Sequence, residues 1–218
     1  MHYTKYSIAH YVLDVEVLIV NSYRQPAIKK AVDKYGYDEA MLDVLKEVHQ
    51  DLVGVLDEQA HAKSVKRDLY AERTLLKKQV QKVYMKYLKL ARIAFVDDLK
   101  IREALLLDGE RMRTYNEWLF QVAVFCSNLT ANQDWLSLLK RYGIARHDIV
   151  ELDNWRNKLI RLTEKCIEAK GEVKRLTESK HKKVIEVQSC VSDYIKIARI
   201  ALENKPKLLN CLGINVKG

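Results

Sequence analysis

Apolar residues recur every three or four positions along two long proline-free stretches, 38–98 and 145–205. In the first they are Leu45, Val48, Leu52, Val55, Ala62, Leu69, Leu76, Val80, Val83, Tyr87, Leu90 and Ala94. In the second they are Leu152, Trp155, Leu159, Leu162, Cys166, Ala169, Val173, Leu176, Val187, Cys190, Tyr194, Ile197 and Ala201. The mean step is about 3.5 residues, which predicts helices that face other helices along a coiled-coil seam, not strands. The middle of each stretch is polar, with Gln59, Lys66 and Arg73 in one and Lys180 and Lys183 in the other.

Two arrangements satisfy this pattern. Each stretch is one helix of about 60 residues, about 90 Å long at 1.5 Å per residue, or a helical hairpin turning near Ser64 and Gly171. Residues 58–67 contain no Gly, Pro, Asn or Asp, so ordinary turn chemistry is missing there and the unbroken helix is favoured. Two unbroken helices would pair antiparallel, with short helices forming a globular head at each end. Hairpins would give two compact bundles in tandem.

The two stretches are related. Sliding the chain by 107 positions sets Tyr35-Gly36 on Tyr142-Gly143 and Ala91-Arg92-Ile93-Ala94 on Ala198-Arg199-Ile200-Ala201, with no gap between them. Fifteen of the 61 pairs from 35 to 95 are identical, more than chance supplies. A repeat this long predicts one supersecondary plan used twice. The domains are then a first helical repeat, 1–109, and a second, 110–218, which pack about a pseudo-twofold axis as two subunits of a homodimer would.

Shorter periodic segments predict helices at about 7–21 and 26–35, matched by 112–129 and 132–142. Pro26 suits a first helical turn, Asn132 or Asp134 suits an N-cap, and Gly36 and Gly143 suit a left-handed helix end. Asp97-Asp98 and Asn204-Lys205-Pro206 end the long stretches, and 100–107 and 207–212 fold back as short closing helices. The fold class is therefore all-α: an internally duplicated helical bundle, with long antiparallel helices and short helices at the ends.

Composition agrees and narrows the function. The chain is 48% hydrophobic and 31% charged, enough to bury a core, with only two prolines in 218 residues. Its net charge of +9, from 38 basic and 29 acidic residues, favours acidic partners in a general way. The four cysteines, Cys126, Cys166, Cys190 and Cys211, form no Cys-x-x-Cys pair and read as free thiols in a reducing compartment. Asp14 and Glu16 interrupt the apolar run 11–20, so it is neither a secretory signal nor a membrane span. These features place the protein in the cytoplasm.

Candidate chemistry is sparse. Glu58-x-x-His61 and Glu178-x-x-His181 have the spacing of ferritin-like di-metal ligands. They lie beside the seam and do not correspond under the 107-residue shift, so no metal or other cofactor is expected. His147 with Asp148 and Glu151 reads as helix-start pairing. Arg92 and Arg199 interrupt an apolar stretch in both repeats. They are expected to be partly buried, in an ion pair or capping carbonyls, and could otherwise hold a carboxylate or phosphate. The lysine-rich run 165–183 is strongly basic and the stretch 63–89 carries many Lys and Arg, but aromatics, which a nucleic-acid surface would interleave, are absent from 156 to 193, and Lys leads over Arg. Trp118, Trp135 and Trp155 read as core anchors. No phosphate loop, nucleophile elbow or His-Glu-x-x-His motif occurs.

The C-terminal segment DYIKIARIALENKPKLLNCLGINVKG, through Tyr194, Ala198 to Leu202, Pro206 to Leu209 and Leu212 to Ile214, resembles a bacterial family of duplicated helical proteins of unassigned function. Trp135-Leu136 followed by Tyr142-Gly143-Ile144 is similar to that family's central section. The resemblance implies the fold and no activity. The expected function is thus a non-catalytic helical scaffold that binds another protein, possible as a homodimer. The alternatives are a basic protein binding nucleic acid or the cell envelope, and, third, a di-metal protein.

Overall fold

The computed structural model describes residues 1–5, 7–109, 112 and 114–214, so the last four residues of the C-terminal segment and Arg113 of the expected 112–129 helix lie outside it. Among the described residues there are eight α-helices and no strand: α1 (Ile8–Arg24), α2 (Pro26–Asp33), α3 (Glu39–Ala94), α4 (Leu99–Ala104), α5 (Tyr115–Ala131), α6 (Gln133–Lys140), α7 (Arg146–Ala201) and α8 (Lys207–Cys211). No helix is long and apolar enough to cross a membrane, among the described residues. Both long stretches are single helices of 56 residues, and the hairpin alternative falls. The reason is local: neither Ser64 nor Gly171 is followed by a residue that must leave helical backbone, and Gly171 keeps φ negative.

The spacing of the elements is regular. Helices α1, α2 and α3 are followed 107 residues later by α5, α6 and α7, with the same lengths of 17, 8 and 56 residues. One compact unit joins 1–64 to 171–218, and the other is 65–170. Each unit therefore takes one part of α3 and one part of α7, and the boundaries fall 107 residues apart, at Ser64 and Gly171.

In unit 1, α1, α2, the front of α3, the back of α7 and α8 enclose a core of Tyr11, Val15, Leu18, Ile28, Val32, Leu42, Leu45, Leu52, Val187, Val191, Tyr194, Ala198 and Leu212. Here α3 and α7 run antiparallel: Gln59 donates to Thr177 at 2.9 Å, and Lys183 reaches Asp51 at 2.8 Å. The Gln59 carboxamide is buried, and its oxygen accepts from Lys63 at 3.0 Å, so this polar group in the seam is satisfied. In unit 2 the back of α3, α4, α5, α6 and the front of α7 enclose Val80, Tyr84, Leu88, Ala91, Leu105, Leu107, Val122, Phe125, Leu129, Leu139, Ile149, Leu152 and Leu159. Lys158 meets Glu72 at 3.1 Å across the two long helices. Trp118 is buried in this core, with Trp135 and Trp155 packed against it.

The buried face is wider than the sequence periodicity indicates. Val83, Tyr87, Leu90 and Ala94 are only partly buried, while Tyr84, Leu88, Ala91 and Phe95 form the deeper row. A second neighbour explains this: Tyr84 stands edge-on to Phe125 of α5, with centroids 5.5 Å apart. A helix touched on two sides buries two adjacent rows, not one seam.

Helix ends follow capping chemistry. Ser7 caps α1 by accepting from the His10 N–H, and Thr114 caps α5 by accepting from the Glu117 N–H. Pro26 opens α2 as expected. Asn132 occupies the N-cap of α6, but its side chain instead donates back to the Asn128 carbonyl at 2.8 Å. Four helices end in the paired 6→1 and 5→2 bonds of a Schellman turn, those of α2, α4, α6 and α8. The left-handed residue is Gly36, Gly143 or Gly213 in three of them and Leu106 (φ 51°) in the fourth.

Candidate interaction surfaces

The residues with ligand spacing are not brought together. Glu58, His61, Glu178 and His181 are all exposed, and Glu178 faces Lys174 at 3.9 Å. Among the described residues no group of three or more His, Cys, Asp or Glu side chains could hold a metal ion. His147 is exposed beside Asp148 at 3.3 Å, and Asp148 accepts from the Ala145 N–H at 2.8 Å at the start of α7.

Arg92 is partly buried and its Nε donates to the Leu107 carbonyl at 2.7 Å. It therefore caps the turn after α4, the carbonyl-capping option of the two. Arg199 does not share this burial: the side chain at the equivalent place on α7 is exposed. A second repeated contact escaped the sequence reading. Asn21 Nδ2 donates to the Cys211 carbonyl at 2.6 Å, and Asn128 Nδ2 donates to the Ala104 carbonyl at 2.7 Å. Both donors and both acceptors are 107 residues apart. In each unit an asparagine on the 17-residue helix ties off the short closing helix. The pair lies outside the best-matched part of the repeat, where one shared asparagine gives little warning.

Each unit has a shallow groove beside its 17-residue helix. In unit 1 a groove of about 520 Å³ lies between α1 and α3, over Ile19, Val53 and Gly54, flanked by Glu16, Lys46 and His49. His49 is buried, and its Nε2 lies 3.0 Å from the Val12 carbonyl. A carbonyl can only accept, so Nε2 carries the proton. The groove of about 580 Å³ in unit 2 lies between α5 and α7 and is lined by Cys126, Thr130, Val150, Asp153 and Arg156. Arg156 donates to Asp153 at 2.8 Å there. Burial, reinforced by Asp153, pushes the Cys126 thiol up to about 12. A thiol held protonated in this way is a poor nucleophile.

Unit 1 buries tyrosines. Tyr194 donates to Ser22 Oγ at 2.5 Å while Ser22 donates to the Leu18 carbonyl at 2.7 Å. Tyr37 stands edge-on to Tyr194 at 5.2 Å. The Tyr11 hydroxyl is buried with no hydrogen-bond partner among the described residues. Burial raises the phenol pKa of Tyr11, Tyr37 and Tyr194, most strongly for Tyr11.

Outside the cores, large apolar side chains stand exposed at equivalent places in the two units. Leu13 (60% exposed) corresponds to Phe120 (63%), Tyr35 (51%) to Tyr142 (41%), and Ile93 (58%) to Ile200 (52%). Charge, in contrast, is arranged differently. On α3 the stretch 38–58 carries seven acids and one base, and 73–92 carries seven bases and no acid. The equivalent stretches of α7 are mixed: four acids with five bases over 145–165, and two acids with five bases over 180–199. No family model matches the chain, and neither a curated protein nor a solved structure matches it.

Proposed function

We propose that the protein is a non-catalytic helical scaffold that binds another protein through its exposed helix faces. The observation that carries this reading is the recurrence of exposed bulky side chains at Leu13 and Phe120, Tyr35 and Tyr142, and Ile93 and Ile200. Scattered exposed apolar residues are ordinary. Three bulky apolar pairs at matching positions, where most other exposed residues differ, are better accounted for by shared use. A protonated Cys126 beside an Arg156–Asp153 pair offers no nucleophile, and the Glu/His spacings face solvent.

The repeat supports the same reading. One ancestral helical module, copied once and packed with exchanged halves, accounts for the identical element lengths and for the reciprocal asparagine contacts. The 3.5-residue period of α3 and α7 fits a coiled-coil pairing. Free thiols throughout fit a reducing, cytoplasmic setting.

The test is site-specific photo-crosslinking from positions 13, 120 and 200 of the full chain in cells of its source, with exposed Lys182 as the control position. A single recurring protein adduct at the three apolar positions, weaker or absent at 182, is expected. Equal labelling at all four would refute the reading. A second reading, binding of nucleic acid or an anionic membrane, draws support from the acid-free basic stretch 73–92.

A further inference from the structure

We infer that the basic face of α3 in unit 2 docks on the acidic face of α3 in unit 1 of a second copy of this chain. The inference deepens the scaffold reading by naming one partner.

The two faces are each continuous. Lys78, Lys82, Lys86 and Lys89 are exposed at steps of four, four and three, so they share one side of the helix, and Ile93 extends the row by one further step. Glu47, Asp51 and Glu58 are exposed at steps of four and seven and share one side as well, with Val44 (47% exposed) one step before them. None of the four lysines, nor Glu47, makes an ion pair among the described residues. Asp51 already holds Lys183, and Glu58 lies within the field of Arg175. The basic row thus has no opposing row in its own unit.

The fold does not require this arrangement. Helix α7 adopts the same 56-residue length and packs the same kind of core with its charges mixed. A pattern present in one of two equivalent helices reflects what that surface meets. Read in opposite directions, the rows match in register: Val44 faces Ile93, Glu47 faces Lys89, Asp51 faces Lys86 and Glu58 faces Lys78. Because both rows belong to α3, any second copy brings the complement. Aliphatic contact at one end with ion pairs along the row is the pattern of a register-setting helix pair. Exposed ion pairs are individually weak, and the net charge of +9 opposes approach of two copies. The association is therefore local, weak and dependent on sign matching.

Nucleic acid and anionic membranes suit this surface less well. No aromatic residue is exposed on the lysine row to stack a base. The acidic row would repel either polyanion.

Charge exchange tests the inference, read by sedimentation equilibrium of the full chain at low salt with helicity checked by circular dichroism. One variant carries Lys78→Glu and Lys89→Glu. Another carries Glu47→Lys and Glu58→Lys. Each alone is expected to weaken self-association by about tenfold or more, and the variant combining all four substitutions, which restores opposite charges at each facing pair, to recover it. An equimolar mixture of the two single-face variants is expected to form heterodimers. A wild-type chain that stays monomeric at millimolar concentration overturns the pairing, as does self-association that ignores the reversals or is not recovered in the combined variant. Titration with duplex DNA and with phosphatidylglycerol vesicles covers the other occupants: saturable binding to either by a monomeric chain, lost in the lysine variant, also overturns it. Crosslinking from positions 13, 120 and 200 lies off both rows, so the scaffold reading stands or falls separately.

Discussion

Unit 1 and unit 2 are built on one plan with different chemistry inside. At the centre of unit 2, Tyr84 and Phe125 meet ring edge to ring face. At the centre of unit 1, Tyr194 and Ser22 meet through hydroxyls, and Leu18 stands where Phe125 would be. The pairs α1 and α5, α2 and α6, and α3 and α7 are nonetheless the same length, and the short helices α2, α4, α6 and α8 end in the same kind of turn. The plan therefore depends on where apolar faces, caps and left-handed turns fall along the chain. The identity of the core side chains adjusts stability within it.

The largest expected difference comes from the aromatic centre. Phe125→Ala should cost about 3–5 kcal/mol, and Leu18→Ala at the matching place about 2–5 kcal/mol. Urea unfolding followed by tryptophan emission senses the first directly, because all three tryptophans belong to unit 2. Equal responses of that emission to both substitutions would mean the two units unfold as one.

Alkaline pH should separate the units next. Among the described phenols with raised pKa values, Tyr11, Tyr23, Tyr37 and Tyr194 belong to unit 1 and Tyr87 to unit 2. A phenol whose folded pKa is raised contributes stability that is intact below its unfolded value of about 10 and is lost as pH climbs through the folded value. Helicity by circular dichroism should therefore begin to fall above about pH 10 before tryptophan emission shifts. The reverse order would contradict the burial of these phenols.

The asparagine ties should be equal across units. Asn21→Ala and Asn128→Ala each leave a helix-end carbonyl without its donor and should each cost about 1 kcal/mol in thermal unfolding. A neutral result at one site would show that its closing helix is held by packing alone. Tyr11→Phe removes a buried hydroxyl that has no partner among the described residues and should be neutral or stabilising by up to about 1 kcal/mol. A loss of that size would mean the hydroxyl is hydrogen-bonded after all.

The smallest effect concerns the turns after α4 and α8. Gly213 (φ 68°) adopts left-handed backbone with no Cβ, whereas Leu106 (φ 51°) brings a Cβ into that conformation, which is intrinsically unfavourable. Gly213→Ala should cost about 1 kcal/mol, and Leu106→Gly should gain about 0.5 kcal/mol, reduced by the packing it removes. Melting temperatures that move in the opposite directions would contradict the turn assignment.

Much of this architecture was legible in the sequence. The 3.5-residue period and the absence of turn residues around Ser64 predicted unbroken helices, and Gly36 and Gly143 marked their turns. The deeper row of Tyr84, Leu88 and Ala91 was not legible, because periodicity along one helix does not report how many helices touch it. Leu106 carries no trace of the left-handed turn that a glycine would have announced. The burial of Arg92 but not Arg199 depends on a carbonyl that only the folded chain brings near. The segregated charges of α3 were in plain view as composition, but their bearing on function required knowing which of them share a face.

The exchange of halves has a temporal side. Unit 2 is one uninterrupted segment, 65–170, so every residue it needs has left the ribosome once its last helix segment emerges. Unit 1 must hold residues 1–64 without their cover until 171–214 are synthesised, and its greasy α1 and α3 faces stay wet meanwhile. Nascent chains of increasing length should therefore acquire protease resistance in their middle first, with the earliest-made residues the last to be sheltered.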